Sequence, residues 1–128
     1  MPDEDFNRIL YVEDEPDIQA VAKLALEHVG HFTLEVCSSG QEALDKAEEF
    51  APHLMLLDVM MPEMDGPTAL GKLRDIKGLE NIPAIFMTAR VQPHEIQEYI
   101  ALGALDVIAK PFDPMTLSGQ IREILKNA

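Results

Sequence analysis

Residues 53–66 read HLMLLDVMMPEMDG, and in this stretch an apolar run ends on a single carboxylate, that of Asp58. The run is short and lies between Pro52 and the turn-forming residues Pro62 and Gly66, which favours a strand that is buried on both faces of a parallel sheet. Asp58 then lies at the carboxyl end of that strand, where open α/β sheets bind their ligands. Aspartate is also a common turn former, so this stretch alone leaves both interpretations of Asp58 open.

The composition is typical of one globular domain. The chain has 128 residues, of which 47% are hydrophobic, which suffices for one core but not for two ordinary domains. The sequence shows neither an apolar run of membrane-spanning length nor a signal-like leader, so we expect a cytoplasmic protein. The net charge of −13 argues against direct nucleic-acid binding, which requires clustered Lys and Arg. Cys37 is the single cysteine and is expected to be a buried apolar residue.

Four further β-favouring runs lie along the chain and are bounded by turn-forming residues. They cover residues 9–12 (ILYV), 33–37 (TLEVC), 83–87 (PAIFM) and 106–109 (DVIA). Three of these runs end as the central run does, on side chains that carry a charge or a hydroxyl group. These side chains are Glu13 and Asp14, then Thr88, and finally Lys110. Asp58 is thus one of a set of polar residues at strand ends, which argues against a simple turn role.

Five segments with helical spacing or capping signals alternate with these runs. The predicted helices cover residues 16–29, 40–50, 66–77, 93–103 and 114–126. Ser39 and Asp113 are the expected N-caps of the second and the last helix. Val21 and Val29 recur at helical spacing in the first helix, and Met115 is expected on the inner face of the last.

The alternation of five strands with five helices predicts a flavodoxin-like (βα)5 fold. Short connections imply right-handed crossovers and a doubly wound parallel sheet with helices on both faces. We expect the strand order 2-1-3-4-5, in which the carboxyl ends of the first and third strands lie side by side and the fourth and fifth follow. The five polar residues at strand ends should therefore converge at one edge of the sheet.

The chemistry of this set favours a divalent ion and phosphoryl transfer. Three carboxylates about 5 Å apart would repel by about 3 kcal/mol per pair, and the single charge of Lys110 cannot neutralise them. Oxygen ligands favour Mg²⁺ or Mn²⁺ over zinc. We assign Glu13 and Asp14 to the metal, Asp58 to nucleophilic attack, and Thr88 and Lys110 to the phosphoryl oxygens.

From residue 8 to residue 126 the chain resembles the receiver domain of two-component response regulators. ILYVEDEPDI is similar to the first strand and acidic pair of that family, LLDVMMPEMDG to its phosphoacceptor segment, IFMTA to its Thr/Ser strand end and VIAKPF to its lysine motif. The intervals between Asp14, Asp58, Thr88 and Lys110 also match the family's spacing. The expected organisation is an acidic leader, residues 1–7, followed by a receiver domain over residues 8–127.

The resemblance implies that Asp58 accepts a phosphoryl group from a phosphohistidine of a sensor histidine kinase or histidine phosphotransfer protein, and from small phosphodonors. It implies that the backbone carbonyl of Met60 and the carboxylate of Asp58 complete the metal shell. The amides of Met60 and Ala89 would contact the phosphoryl group, and the peptide bond between Lys110 and Pro111 would be cis. Phosphorylation would shift an existing equilibrium and alter the face formed by the fourth helix, fifth strand and fifth helix, which would contact a downstream effector.

One departure from the family's usual pattern concerns signal output, and two other residues concern the lifetime of the phosphorylated form. The family usually carries an aromatic switch residue three positions before the lysine, where this chain has Val107. No ring can then swing inward as Thr88 moves, so a weaker or differently routed switch is expected. Met60 and Arg90 lie two residues beyond Asp58 and Thr88, beside the expected hydrolytic water. They predict slower self-dephosphorylation than a small polar pair would give.

Two other function classes stay open. A pseudo-receiver, an interaction module that does not depend on phosphorylation, is favoured by Val107 and disfavoured by the intact acidic site. A small Mg²⁺-dependent phosphohydrolase would share the chemistry, but so short a chain offers no inserted cap or substrate pocket. The sequence ends with the predicted fifth helix and names neither kinase nor output, so it fits a stand-alone regulator as well as part of a longer protein.

Overall fold

Five parallel strands form one sheet in the order 2-1-3-4-5, which confirms the predicted fold class. The strands are β1 (Arg8–Val12), β2 (Thr33–Cys37), β3 (Leu54–Asp58), β4 (Ala84–Thr88) and β5 (Asp106–Ala109). The computed structural model describes residues 7–128, so the predicted leader lies almost entirely outside the described residues. Within residues 7–128, no helix has both the length and the apolar character that a membrane crossing requires.

Five α-helices connect and cover the strands. They are α1 (Pro16–Lys23), α2 (Gly40–Phe50), α3 (Gly66–Leu73), α4 (Pro93–Ala101) and α5 (Leu117–Lys126), and a π-helical segment (Leu24–Val29) continues α1. Side chains alternate along each strand, so each face of the sheet has its own apolar core. Leu10 and Phe86 pack with α2 and α3 on one face, and Ile9 and Ile85 pack with α1 and α5 on the other. Strands β3 and β4 are buried throughout, as expected for strands covered on both faces.

The first helix departs from the predicted α-helical spacing. Val21 and Val29 are 42% and 41% exposed, whereas Leu26 is fully buried. Val21 lies in the α-helical part, whereas the wider π-helical turn over Leu24–Val29 changes which of the later side chains, Val29 among them, face the sheet. The outer surface of this helix therefore carries apolar side chains.

Helix α3 ends at Leu73, four residues before the predicted end. The guanidinium group of Arg74 donates hydrogen bonds to the carbonyl oxygens of Glu80, Ile82 and Gly103, at 3.2, 2.7 and 3.2 Å. Bonds of this kind draw the following chain into a turn against the start of β4. Gly103 lies far from Arg74 in the sequence, so the local helical pattern could not indicate this hydrogen bond.

Helix α5 begins at Leu117, later than predicted. The carboxylate of Asp113 does cap a turn, since it accepts a hydrogen bond from the amide of Met115 at 2.9 Å. That turn precedes the helix instead of forming its first turn. As a result Met115 is exposed, and the prediction that it lies on the inner face is wrong.

Candidate functional site

An ammonium group joins two of the predicted carboxylates at the carboxyl edge of the sheet. Lys110 Nζ donates hydrogen bonds to Glu13 Oε1 at 2.9 Å and to Asp58 Oδ1 at 3.1 Å. Glu13 is fully buried and Asp58 is only 3% exposed. Carboxylate oxygens of Glu13, Asp14 and Asp58 lie within 4.8 Å of one another. The structure therefore brings together the acidic residues and the lysine that the strand ends predicted.

The backbone at the strand ends fixes these positions. The amide of Val59 bonds the carbonyl of Met87 at 3.0 Å, and the amide of Lys110 bonds the carbonyl of Thr88 at 2.9 Å. These bonds extend the β3–β4 and β4–β5 pairing one residue beyond the strands. Asp58, Thr88 and Lys110 are thereby held at one edge on three adjacent chain segments.

Gly66 lets the loop after β3 fold back against the backbone of Asp58. Its amide bonds the carbonyl of Val59 at 2.9 Å. A Cβ at Gly66 would lie 2.6 Å from the carbonyl oxygen of Asp58, closer than any normal contact. The Asp65 side chain then caps α3 by accepting from the amide of Thr68 at 2.8 Å. A glycine is therefore required at this point of the site.

Two further groups, which the sequence pattern did not indicate, donate hydrogen bonds to Glu13. The amide of Glu15 donates to Glu13 Oε2 at 3.2 Å, and the Gln19 amide group donates to the backbone carbonyl of Glu13. Gln19 also bonds Ser38 Oγ at 3.1 Å. Tyr11, two residues before Glu13, is also fully buried. Only the position of Glu15 in the turn after β1 could have indicated such a contact.

Burial and the neighbouring charges shift the pKa values of the site residues in opposite directions. Burial raises the pKa of Asp58 and of Glu13, and the hydrogen bonds from Lys110 offset part of that rise. Burial alone would lower the pKa of Lys110, but its bonds to the two carboxylates outweigh this and raise it. The phenol of Tyr11 has its pKa raised by burial and then by the charges of Glu13 and Asp58. One cation among three acids leaves an excess of negative charge.

The donor set fits a hard divalent ion. Asp14 Oδ1 is buried and has no hydrogen-bond partner within residues 7–128, although such an atom normally costs about 1–3 kcal/mol when left unpaired. Its neighbours are oxygens of two further carboxylates. Mg²⁺ and Mn²⁺ prefer such ligands, so Glu13, Asp14 and Asp58 would hold the ion and relieve their mutual repulsion.

The remaining predicted residues surround this centre. Met60 is 65% exposed, and Ala89 and Arg90 are also exposed. The amide of Arg90 donates to Thr88 Oγ1 at 3.1 Å, while Thr88 itself is buried. The peptide bond before Pro111 is cis, as the resemblance implied.

Val107 at the expected switch position lies close to an aromatic pair. Val107 pairs in register with Phe86, and it is half-buried against the core that includes Phe86. The ring of Tyr99, on α4, meets the Phe86 ring edge to face, with 5.6 Å between ring centroids. Helix α4 therefore contributes an aromatic ring to the core beside β5.

Comparisons with known proteins agree with this fold and geometry. The family model described as response regulator receiver domain matches residues 9–122. Response regulator Rre1 of Synechocystis is 32% identical over 117 residues, which cover 91% of this chain and 51% of that protein. An uncharacterized 14.6 kDa protein of Leptolyngbya boryana is 37% identical over 109 residues, or 85% of this chain and 82% of that protein. The chain spans about half the length of several relatives that it matches.

Solved structures show the same architecture. The chemotaxis protein CheY4 of Vibrio cholerae superposes with a TM-score of 0.85 at 28% identity, over 93% of this chain and 98% of that one. A putative response regulator from Chloroflexus aurantiacus gives a TM-score of 0.82 at 27% identity, over 94% and 98%. The class is that of two-component signalling domains. This chain belongs to the response regulator receiver domain family.

Proposed function

We propose that this protein is a phosphorylation-controlled signalling switch in which Asp58 accepts a phosphoryl group in a reaction that depends on Mg²⁺ or Mn²⁺. The observation that carries the proposal is the position of Lys110, whose ammonium group bonds both Glu13 and Asp58. A purely structural ion pair would balance its charges. Here a buried carboxylate lies beside one cation and two further acids, which is the environment of a site that takes up additional positive charge.

The chain's own residues divide the work of transfer. An Asp58 oxygen forms a bond to phosphorus while the bond from phosphorus to the donor breaks, and the electron pair leaves with the donor. Lys110 pairs with a phosphoryl oxygen once Asp58 Oδ1 no longer carries a full charge. A bound divalent ion supplies further positive charge to the phosphoryl oxygens. The reaction is self-catalysed, so the protein is a phosphoacceptor and not a turnover enzyme.

Thr88 and two backbone amides complete the phosphoryl contacts. Thr88 Oγ1 accepts from the amide of Arg90, a bond that does not use the hydroxyl's own hydrogen. That hydrogen is the donor to a phosphoryl oxygen, and the amides of Met60 and Ala89 donate to others. The backbone carbonyl of Met60 is the further metal ligand.

The partners follow from the family. The phosphodonor is a phosphohistidine of a sensor histidine kinase or histidine phosphotransfer protein in the cytoplasm. The output surface is the face of α4, β5 and α5, where an effector binds. Val107 offers no ring to move, so the signal passes to α4 more weakly or through other contacts, such as the one between Phe86 and Tyr99.

The test is to incubate the protein with Mg²⁺ and acetyl phosphate and to weigh the intact chain over time. We expect one phosphoryl group to be added per chain. This adduct should not form when the metal is chelated before the donor is added, nor should it form in Asp58→Asn. Asp75→Asn is the matched control, because Asp75 is exposed beyond the end of α3, near the opposite edge of the sheet. Absence of an adduct would contradict the proposal and favour the interaction module, and continuous release of phosphate would favour a hydrolase.

Met60 and Arg90 should set the lifetime of the phosphorylated form. Both side chains are exposed and follow Asp58 and Thr88 by two residues. Replacing both with small polar residues should speed the loss of the phosphoryl group, because a water molecule gains room beside Asp58. The decay of the adduct, followed by intact mass after the donor is removed, measures this. An unchanged decay rate would show that these side chains do not control it.

A further inference from the structure

The phenol of Tyr11 lies beneath the acidic site, on the same face of the sheet. Tyr11 pairs in register with Leu56 of β3, and both residues are buried in the core that α1 and α5 cover. Glu13 follows Tyr11 by two positions, and Asp58 follows Leu56 by two. Alternate residues of a strand share a face, so Tyr11 and Leu56 form the layer directly below the two carboxylates.

The Tyr11 hydroxyl is buried and has no hydrogen-bond partner among residues 7–128. Buried hydroxyl groups are normally bonded, because an unpaired one destabilises the fold. Burial is the first cause of the raised pKa of this phenol, and the charges of Glu13 and Asp58 are the next two. Both carboxylates are therefore near enough to act on the hydroxyl, although neither accepts a hydrogen bond from it.

The carboxylate of Glu13 already has a donor at each oxygen. Lys110 Nζ bonds Oε1 at 2.9 Å, and the amide of Glu15 bonds Oε2 at 3.2 Å. The same ammonium group bonds Asp58 Oδ1 at 3.1 Å. When that oxygen side carries a phosphoryl group, Lys110 must serve new oxygens beyond it. Glu13, which is fully buried, then loses the donor at Oε1.

We propose that Tyr11 is a positioning residue for phosphoryl transfer, whose hydroxyl donates to Glu13 when Lys110 turns to the phosphoryl group. This role depends on the proposed phosphoacceptor function of Asp58. The hydroxyl replaces the lost donor without adding a charge, so the buried carboxylate stays paired while the ammonium group follows the phosphoryl oxygens. Each carboxylate oxygen offers two lone pairs, which leaves one for a metal ion. The phenol keeps its proton, and no covalent bond to Tyr11 forms or breaks.

The test is Tyr11→Phe, which removes the hydroxyl and keeps the ring. In the unphosphorylated protein without metal, Tm should be unchanged or higher, because an unpaired buried hydroxyl has been removed. Affinity for beryllium trifluoride, a phosphoryl analogue, should fall by about ten- to hundredfold in the presence of Mg²⁺, the worth of one hydrogen bond to a charged acceptor. Affinity for Mg²⁺ alone should be unchanged. Titration calorimetry measures both affinities.

A spectroscopic measurement tests the same hydrogen bond without altering Tyr11. The chain has two tyrosines and no tryptophan, so in Tyr99→Phe the tyrosine absorption comes from Tyr11 alone. Addition of beryllium trifluoride and Mg²⁺ should shift this absorption to longer wavelength, as a phenol does when it becomes a hydrogen-bond donor. Tyr99→Phe is also the matched control, because Tyr99 lies on α4 against Phe86, and its affinity for the analogue should equal that of the unsubstituted protein.

The outcomes distinguish the role of Tyr11 from the function of Asp58. If Tyr11→Phe destabilises the unphosphorylated protein, the hydroxyl already has a partner there and the proposal is wrong. An equal loss of affinity for Mg²⁺ alone would assign the hydroxyl to metal binding and would also overturn it. Unchanged analogue affinity with an unshifted Tyr11 absorption refutes it too, although Asp58 is still the phosphoacceptor if acetyl phosphate labels it. If acetyl phosphate does not label the unsubstituted protein, the proposed function is wrong and the role of Tyr11 is wrong with it.

Discussion

Asp58→Asn should stabilise the metal-free protein, although it removes a partner of the site lysine. Oxygens of Asp58, Glu13 and Asp14 lie within 4.8 Å of one another, so at an effective dielectric of about 20 the charge of Asp58 is repelled by about 3.5 kcal/mol from each of the other two. The attraction to Lys110 Nζ at 3.1 Å is about 5 kcal/mol on the same scale. Repulsion therefore exceeds attraction by about 2 kcal/mol, and neutral asparagine avoids it.

The assay is thermal and urea unfolding at neutral pH with a chelator present. For a chain of this size about 2 kcal/mol corresponds to a rise in Tm of roughly 8 °C. Asp75→Asn, at an exposed position, should change the unfolding free energy by no more than about 0.5 kcal/mol. Mg²⁺ at ten times its Kd should stabilise the unsubstituted protein by about 1.4 kcal/mol. It should stabilise Asp58→Asn by less, because a ligand has been removed.

The pH dependence gives a second measure of the same charge. Burial, offset in part by Lys110, raises the pKa of Asp58 in the folded protein. A group whose folded pKa is raised contributes stability that is present below the unfolded pKa, about 3.9, and is lost as pH rises through the folded pKa. The advantage of Asp58→Asn should thus be largest at neutral pH and shrink as the pH falls through the folded pKa. If the variant were less stable than the unsubstituted protein at neutral pH without metal, the reasoning would be refuted.

Three further variants or measurements test neighbouring features. Lys110→Met should destabilise the metal-free protein by about 3–5 kcal/mol in urea unfolding, because it leaves buried carboxylates unpaired, and combining it with Asp58→Asn should recover part of that loss. Gly66→Ala should cost about 1–3 kcal/mol, since its Cβ would lie 2.6 Å from the Asp58 carbonyl oxygen. The control Gly71→Ala should instead stabilise α3 by about 0.5–1 kcal/mol, because no described atom lies within 4 Å of the new Cβ. Burial raises the pKa of Cys37 to about 12, so a thiol reagent should label it only as fast as the protein unfolds, and rapid labelling under native conditions would contradict its burial.

The pattern of the sequence sufficed for the sheet and for the convergence of the acidic residues. Apolar runs bounded by turn residues are local signals, and each is visible without knowledge of its neighbours. In a doubly wound sheet the carboxyl ends of the strands meet at one edge. The polar residues that follow β1, β3, β4 and β5 therefore had to lie near one another. Distances between individual oxygens did not follow from that rule.

Helix ends were less predictable because partners remote in sequence decide them. Arg74 ends α3 by bonding carbonyl oxygens in the next loop and at Gly103. The π-helical turn after α1 and the turn before α5 likewise change which side chains are exposed, as Val29 and Met115 show. Local propensity carries no information on such contacts.

By itself the sequence determined that Asp58 ends a buried central strand, and that three other strands end on Glu13 and Asp14, on Thr88 and on Lys110. The reason is that apolar runs and the turn residues that bound them are local features of the sequence. Only the tertiary structure decided that one ammonium group bonds both Glu13 and Asp58, that a buried oxygen of Asp14 has no partner among residues 7–128, and that an apolar cleft opens beside Lys110. These features depend on where side chains from separate strands and helices come to lie once both faces of the sheet are packed. Their physical cause is the desolvation and mutual repulsion of charges that only folding brings together.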